Sequence, residues 1–325
     1  MNTLEPAVHA CDKDGLLLRR NAVAMGIDDK ALARLVRAKF LVRLRQGIYC
    51  DRSVFIAADE RERHRLLCAG VIHLYDSHVA LSHASACIVQ GGPAYGLDLR
   101  AVHLTHLKGG GRQRSRIRHH TGECRVGDLR RLDGHWVTTP ARSVADTVCT
   151  DGVVAGLVQA NHFLHCRLMV KDELAETIAR SSNWPGSLRQ HPVLLLADER
   201  IESVGESRTS HLVFSQGLPM PEPQFEIFDP FSGTTYRVDF AWPEHRVIVE
   251  FDGMEKYHRY RRPGETIEQA VMREKAREDR IRELTGWTVI RITWRDLSFP
   301  EHTAQRIRAA LNRGSLGTLG RAAGL

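Results

Sequence analysis

Residues 236–253 read YRVDFAWPEHRVIVEFDG, and this stretch decides the fold that we predict for the second half of the chain. Apolar and polar side chains alternate from Tyr236 to Trp242 and again from Arg246 to Phe251. Alternation with period two is typical of a β-strand with two different faces. The residues between, Pro243 to His245, suit a tight turn. The stretch therefore predicts an antiparallel hairpin.

The register of this hairpin follows from its turn. Directly opposed residues have numbers with a constant sum, and a turn centred between residues 243 and 244 gives 487. This register predicts one continuous apolar face, with Val238 opposite Val249, Phe240 opposite Val247, and Phe251 beyond them. A sheet that packs on a hydrophobic core requires such a face.

The opposite face of the hairpin is acidic. It carries Arg237, Asp239, Ala241, Ile248, Glu250 and Asp252. The register makes Asp239 and Glu250 diagonal neighbours, roughly 7 to 8 Å apart, and like charges at this spacing are destabilising unless a cation lies between them. Mg²⁺ takes oxygen ligands and suits the position. Gly253 follows, where the backbone can turn or approach a ligand. A solvated hairpin face is the alternative.

Length and composition predict an ordinary multidomain protein. The 325 residues are 42% hydrophobic and 26% charged, which suggests two or three domains. No apolar run approaches the ~20 residues of a membrane span, and the opening MNTLEPAVHACDKDG lacks the regions of a signal peptide. We therefore expect a cytoplasmic protein with no membrane partner. Seven cysteines without a CxxC pair predict neither a disulfide framework nor a zinc ribbon.

Positive charge is concentrated in one region. The formal net charge is +7, and residues 100–131 hold nine Lys and Arg against two Asp and Glu. The run KGGGRQRSRIRHHTG at 108–122 suits a flexible basic loop whose Arg112, Arg114 and Arg116 would contact phosphates. A loop that merely improves solubility is the alternative. The histidines of this region and of His162 to His165 show no metal-binding spacing.

Residues 1–58 predict a winged helix. Helices are expected over Glu5 to Lys13, over Arg19 to Met25, and from a cap at Asp28 or Asp29 to about Ala38, followed by a hairpin around residues 46 and 47. In a winged helix the recognition helix enters the major groove and the wing touches the backbone. The candidate DNA-binding residues are Lys30, Arg34, Arg37, Arg43 and Arg45. A helical cap with a solvated basic face is the alternative.

Residues 59–185 predict a mixed middle domain. Helices are expected at 60–75 and 80–89, and short strands at 102–105 and 136–137. Thr139 and Pro140 form a good helix start, and Arg142 and Asp146 are spaced to pair on that helix. The run SSNWPGS at 181–187 predicts a linker that divides the chain near residue 185.

Residues 190–312 predict an α/β domain built around the hairpin. The expected order is a helix containing Glu206, a strand at 224–228, the hairpin, a charged helix at about 266–284, a strand at 288–293 and a helix at about 301–312. Glu274 and Glu278 lie on the apolar stripe of the charged helix, where they need partners such as Arg277 or Arg282, or a place in the active site. Residues 313–325 predict a flexible Gly-rich tail.

Two resemblances extend this interpretation. RRNAVAMGIDDKALARLVRAKFLVRLRQGIYC, with HVALSHASA and TTPARSVAD further along, resembles AbiEi-like antitoxins of type IV toxin-antitoxin systems over about residues 1–180. GESRTSHLVF, YRVDFAW, VIVEFDGMEKY and REKAREDRIRELTGWTVIRITW resemble the PD-(D/E)XK restriction-endonuclease-like domain related to very-short-patch repair endonucleases, over about residues 195–300.

The second resemblance implies a metal-dependent nuclease site. It places Mg²⁺ or Mn²⁺ on Asp239 and Glu250, with Glu206 as a contributor from the preceding helix and Asp252 as a further or supporting group. The family has a lysine two residues after the second acid, where this chain has Asp252. Lys256 is the first candidate for the lysine role and Lys275 the second, while His258 could match the histidine of the repair enzymes.

The sequence thus predicts an α+β or α/β multidomain protein that binds DNA and cleaves phosphodiester bonds, in a defence or toxin-antitoxin setting. One alternative is a type IV antitoxin or transcriptional repressor with a degenerate nuclease fold. A third is an antitoxin that binds its cognate toxin as a protein. A homodimer is also compatible with these sequences.

Overall fold

The computed structural model describes residues 10–75, 78–107, 116–253 and 264–322, with side chains up to residue 314. The chain divides into two compact units, the first comprising Met1–Phe163 and Arg167–Leu195 and the second Leu164–Cys166 and Leu196–Leu325. Both are mixed α and β, and the described chain contains three sheets. The division falls at residue 195, beyond the predicted linker. Ser181 of that linker is buried and donates to Gln190.

The first unit begins with a three-stranded antiparallel sheet and short helices. β1 (Leu16–Leu18) precedes α1 (Arg19–Ala24) and α2 (Asp29–Arg37), and β2 (Leu41–Arg45) and β3 (Ile48–Asp51) complete the sheet in the order β1-β3-β2. Asp28 caps α2 by accepting the Ala31 N–H at 2.7 Å. Both helices and the hairpin confirm the sequence prediction.

The start of this region corrects two predictions. β1 was not predicted, because its three consecutive leucines show neither helical nor alternating periodicity. Residues 10–13, the described end of the first predicted helix, form a turn in which Asp12 accepts the Leu16 N–H at 2.8 Å. The rest of that predicted helix lies outside the described residues.

A five-stranded sheet follows in the first unit, in the order β6-β5-β4-β8-β7. Its strands are β4 (Val79–Leu81), β5 (Val102–His106), β6 (Ile117–His120), β7 (Leu129–Leu132) and β8 (His135–Thr138). The helices are α3 (Arg52–Ala57), α4 (Glu60–Ile72), α5 (His83–Val89), α6 (Pro140–Asp151), α7 (Val153–His165), α8 (Lys171–Arg180) and α9 (Gln190–Leu196). The last residues of α7 and α9 are assigned to the second unit.

The helix predicted at 80–89 is partly wrong. Residues 79–81 form β4, which pairs with β5 and β8, and the helix begins only at His83. β4 is fully buried, so its apolar run is not distinguishable from a buried helix by periodicity. The predicted start of α6 is confirmed, since the Thr139 hydroxyl accepts the Arg142 N–H at 3.4 Å and Pro140 occupies the first turn.

The second unit is organised on a four-stranded sheet in the order β12-β11-β10-β9. α10 (Val204–Ser215) precedes β9 (Glu222–Asp229), β10 (Thr234–Trp242) and β11 (Val247–Phe251), which form an antiparallel meander. α11 (Ile267–Thr285) then leads to β12 (Thr288–Ile292), which is parallel to β11. α12 (Pro300–Ala322) closes the unit. The tail predicted at 313–325 is therefore helical as far as residue 322 rather than irregular.

Both faces of this sheet are covered by helices. Side chains of α10 and α12 share a core with Phe240, Trp242, Val247, Val249 and Phe251. On the other face, Ile281 of α11 shares a core with Ala241 and Ile248. Gly205 permits the first contact, because a Cβ there would lie 2.1 Å from the Phe251 ring. The acidic face of the hairpin is therefore not a solvated surface.

The predicted hairpin register is off by two residues. Phe240 pairs with Val249 and Trp242 with Val247, which gives a sum of 489. The loop is longer than predicted because a 3₁₀ turn over Pro243–His245 is followed by Arg246 in the left-handed region, at φ 55°. A shift of two keeps most side chains on their predicted faces. Val238 is the exception, since it packs in the core beneath α11.

No described helix has both the length and the apolar composition needed to cross a membrane.

Candidate functional site

Asp239 and Glu250 form the centre of the acidic face in the second unit. The observed register, continued by one position, places them directly opposite each other on β10 and β11 rather than diagonally. The ladder stops there, because the Asp239 Oδ2 atom accepts the Phe251 N–H at 2.7 Å. Opposed residues on neighbouring strands lie roughly 5 Å apart at Cβ. The two carboxylates are thus closer than the sequence predicted.

Glu250 is buried and in contact with a cation. Arg277 of α11 approaches the Glu250 Oε1 atom to 2.5 Å and also contacts Glu274 at 2.7 Å. Burial raises the pKa of the Glu250 carboxyl, Arg277 offsets part of this shift, and the Asp239 charge adds to it. Burial acts to lower the pKa of Arg277, but Glu274 and Glu250 raise it by more, so the net shift is upward.

Glu206 supports the site from the start of α10. Its Oε1 atom accepts the Ser203 hydroxyl at 2.6 Å, and its Oε2 atom accepts the Glu202 N–H at 3.0 Å and the Gln224 amide at 2.8 Å. Gln224 belongs to β9 and has φ 54°. Both carboxylate oxygens thus bind local donors, which is typical of a helix-capping group that fixes its neighbours.

Asp252 and the two glutamates of α11 pair with arginines. Arg291 lies 3.4 Å from the Asp252 carboxylate and also contacts Glu278, which in turn contacts Arg282. The pairing predicted for Glu274 and Glu278 with Arg277 and Arg282 is confirmed. Removing these carboxylates from water is tolerable because each has a cationic partner.

The lysine predicted for catalysis is not located. Lys256 and His258 lie outside the described residues, and Lys275 is exposed on α11. Of the described cations, Arg277 contacts Glu250. The helical spacing of α11 could have identified Arg277, since it follows Glu274 by three positions on the same stripe.

The basic residues predicted to contact DNA lie mostly on exposed positions. Lys30, Arg34 and Arg37 are exposed on α2, Arg43 is exposed on β2, and Arg45 is half-buried. In the described ranges, no ion pair involves Lys30, Arg34 or Arg43. Arg116 is exposed, and its guanidinium donates to the Leu44 carbonyl at 3.4 Å. Arg112 and Arg114 lie outside the described residues.

A second polar cluster, in the first unit, was not predicted. His83, His103 and His120 place one ring nitrogen each within 4.8 Å of the others, and they form the one such group of three or more His, Cys, Asp or Glu in the described ranges. They come from α5, β5 and β6, so no local spacing connects them. In contrast, the Asp239, Glu250 and Glu206 carboxylates do not converge to this degree.

Fold and site together define a mixed α/β protein of two units. One unit bears an exposed basic helix and a short antiparallel hairpin, and the other has neighbouring carboxylates on a four-stranded mixed sheet. No family model matches the chain. It is 31% identical over 242 residues to "Uncharacterized protein MT2308" and "Uncharacterized protein Rv2248" from two Mycobacterium tuberculosis strains, covering 72% of this chain and 83% of each relative. The chain belongs to the family of these mycobacterial proteins.

Proposed function

We propose that the protein is a DNA-binding, Mg²⁺-dependent phosphodiesterase whose active site is the Asp239 and Glu250 pair. The observation that carries this proposal is the position of the two acids: Asp239 and Glu250 directly adjoin Phe240 and Val249, the last residue pair of the β10–β11 ladder, and the Asp239 charge raises the pKa of Glu250. Desolvated carboxylates placed side by side repel each other, and a divalent cation compensates that repulsion. Glu250 is buried and Asp239 is half-buried, so a bound cation would stabilise the pair.

The topology of the second unit supports a nuclease of the PD-(D/E)XK type. A helix, an antiparallel meander, a crossover helix and a strand parallel to the third strand follow in the order expected for that fold. The two acids lie on the second and third strands of this meander. The fold alone does not define the chemistry, so the argument depends on the site.

Each described residue of the site has a proposed role. Asp239 and Glu250 would hold the ion, while Glu206 would fix Gln224 and the start of α10 beside them. Mg²⁺ bound there would polarise the scissile phosphate and lower the pKa of a bound water. Arg277, already 2.5 Å from Glu250, would stabilise negative charge that develops on the phosphate. Arg277 would thus take the role of the family's lysine, because Asp252 occupies the sequence position where that lysine is expected.

The first unit would supply DNA affinity. The two-helix segment and hairpin, with Lys30, Arg34 and Arg43 exposed and outside ion pairs, fit a winged helix. Contacts of this kind go mainly to phosphates, so they add affinity that depends on salt.

The test is cleavage of supercoiled plasmid by the full chain in Mg²⁺ or Mn²⁺, with EDTA as a blank. We expect Asp239→Ala to abolish cleavage while DNA affinity, measured by fluorescence anisotropy, stays within about twofold, since phosphate contacts supply most affinity. Asp279→Ala is the matched control, because Asp279 is an exposed acid of the same unit. Equal nicking by parent and Asp239→Ala proteins contradicts the proposal.

A second candidate function is a non-catalytic, DNA-binding repressor or antitoxin. The favouring observation is that Glu250, Asp252, Glu274 and Glu278 all contact arginines, which neutralises much of the acidic face without a metal. The purified chain would then show no metal-dependent cleavage. Arg34→Ala together with Arg37→Ala would abolish binding to its own promoter, whereas the nuclease proposal expects cleavage by the parent protein.

A further inference from the structure

We propose that His83, His103 and His120 in the first unit bind one divalent transition-metal ion of the zinc class. Their candidate ligand nitrogens lie within 4.8 Å of one another. Imidazole suits Zn²⁺ and related ions, and three histidines are a known ligand set for zinc. This site is separate from Asp239 and Glu250, which offer only oxygen ligands and suit Mg²⁺.

The spacing of His103 and His120 fits two ligands of one ion. Their Nδ1 and Nε2 atoms, respectively, form a hydrogen bond at 3.1 Å, which ligation of the ion would replace. Zn–N bonds of about 2.0 to 2.1 Å in tetrahedral geometry place two ligand nitrogens roughly 3.3 Å apart. The His83 ring stacks on the His120 ring with centroids 3.7 Å apart. Binding of one ion by all three histidines requires the His83 ring to tilt until its Nε2 lone pair points at that ion.

His83 is positioned by partners on its other nitrogen. Its Nδ1 atom lies 2.9 Å from the Ser82 hydroxyl and 3.7 Å from Asp146 Oδ2. A metal-binding histidine commonly donates its second ring N–H to a carboxylate or other acceptor, which fixes its orientation. This arrangement leaves His83 Nε2 for the ion. His83 also has φ 52°, a backbone conformation that is uncommon outside glycine and frequent at functional sites.

Unsatisfied polar atoms are concentrated at the same place. His103 Nε2 and Asp146 Oδ2 are buried and have no hydrogen-bond partner in the part of the chain that the structure describes, and neither does Thr105 Oγ1. These three residues are at most 3% exposed. In the β5–β6 register, Thr105 lies opposite His120 and two positions from His103 on the same strand. Buried polar groups without partners are rare, so these atoms are unfilled hydrogen-bonding positions beside the cluster. His103 Nε2 lies on the other side of its ring from Nδ1 and does not face the same ion.

The surrounding charges permit a cation. Arg118, the nearest positive side chain on β6, is paired with Asp98 at 2.8 Å. Arg142 is held by Asp146 Oδ1 and Asp128 Oδ2, at 3.0 Å each. Burial lowers the pKa of His103 to about 3 and that of His120 to about 4, so the imidazoles stay neutral at pH 7 and keep their lone pairs. His120 is half-buried, whereas His83 and His103 are buried.

The experiment is a Co²⁺ titration of the EDTA-treated full chain, followed by the visible absorption of tetrahedral Co²⁺, with Zn²⁺ as competitor. It is done in the Asp239→Asn background to remove the other candidate site. We expect one Co²⁺ per chain, displaced by Zn²⁺ but not by Mg²⁺. His120→Ala and His83→Gln should each weaken binding more than about tenfold.

Two further variants separate binding from folding. His120→Cys should retain Co²⁺ and add a thiolate charge-transfer band, which a structural defect does not produce. His106→Ala is the matched control, because His106 lies on the same strand and pairs with His119 at 2.7 Å rather than with the three histidines. Absence of Co²⁺ binding, or binding that His120→Ala and His83→Gln leave unchanged, overturns the proposal.

Discussion

Two polar clusters, the acidic face of the second unit and the histidine cluster of the first, differ in how their polar groups are paired. In the second unit the carboxylates of Glu250, Asp252 and Glu278 each contact an arginine. In the first unit the cluster of His83, His103 and His120 is neutral, and buried atoms beside it have no hydrogen-bond partner among the described residues. These carboxylates of the second unit are paired with arginines, whereas the neutral imidazoles of the first unit have nitrogen lone pairs that can bind a metal ion. The comparison suggests a hard-cation site in one unit and an imidazole site in the other.

The largest expected effect concerns a buried arginine of the first unit. Arg142 is 6% exposed and bridges Asp128 and Asp146. Arg142→Ala leaves the buried Asp146 carboxylate without its arginine, while Asp128 keeps Arg180 at 3.3 Å. We expect a loss of about 3–5 kcal/mol in the free energy of unfolding. Urea denaturation followed by circular dichroism measures it.

The matched variant in the second unit is Arg282→Ala. Arg282 is 48% exposed and contacts Glu278 and Asp279, and Glu278 keeps Arg291 as a second partner. Its loss should cost about 1 kcal/mol or less. Equal destabilisation by the two variants would contradict the expected effect of burial on these two arginines.

The next effect is acid sensitivity of the first unit. Burial lowers the pKa of His64 and His120 to about 4 and that of His103 to about 3. Unfolded histidines take up protons near pH 6.5, so this stability is present above that pH and is lost as the pH falls towards 4. Burial also raises the pKa of Asp146 to about 6, which opposes the trend as the pH falls through 6.

We therefore expect the EDTA-treated chain to be less stable at pH 5 than at pH 7. The urea midpoint should be lower at pH 5, and the free energy of unfolding should be smaller by about 2–4 kcal/mol. His64→Gln should reduce the pH dependence, because it removes one of these histidines. His64 holds Ser85 at 2.9 Å, and glutamine can retain a polar contact there. Identical midpoints at both pH values would show that the histidines are not held neutral by the fold.

The smallest effect compares two helix caps. Ser203 caps α10 and donates to Glu206, whereas Thr139 caps α6 in the first unit. Ser203→Ala and Thr139→Ala should each cost about 1 kcal/mol in stability. Only Ser203→Ala should also lower the rate of DNA cleavage, because Glu206 and Gln224 then lose a fixed position. A comparable loss of rate in Thr139→Ala would assign both effects to stability.

The sequence predicted the acidic site better than the histidine cluster for a physical reason. Asp239 and Glu250 belong to one hairpin, where alternation with period two determines which side chains share a face. The register error of two kept Asp239 and Glu250 on one face but placed them diagonally rather than opposite each other. The charged helix that covers this face was predicted, but the contact of its Arg277 with Glu250 was not. Its charged side chains are compatible with either solvent or a buried pair.

The histidine cluster could not be predicted from local patterns. His83 follows an unpredicted buried strand, and His103 and His120 meet only because β5 and β6 pair in parallel. Asp146 joins them from α6, whose start was predicted. Such a site depends on contacts between residues that are distant in the chain, which periodicity does not report.

The most direct test of the central claim is Mn²⁺ binding to the opposed carboxylates, followed by the electron paramagnetic resonance signal of free Mn²⁺. We expect the parent chain to bind Mn²⁺ in competition with Mg²⁺, and Asp239→Asn and Glu250→Gln each to abolish that binding while the folded structure is kept. His120→Ala should leave it unchanged. A parent chain that binds no Mn²⁺, or binding that survives Asp239→Asn and Glu250→Gln, would contradict the assignment of the metal to this site.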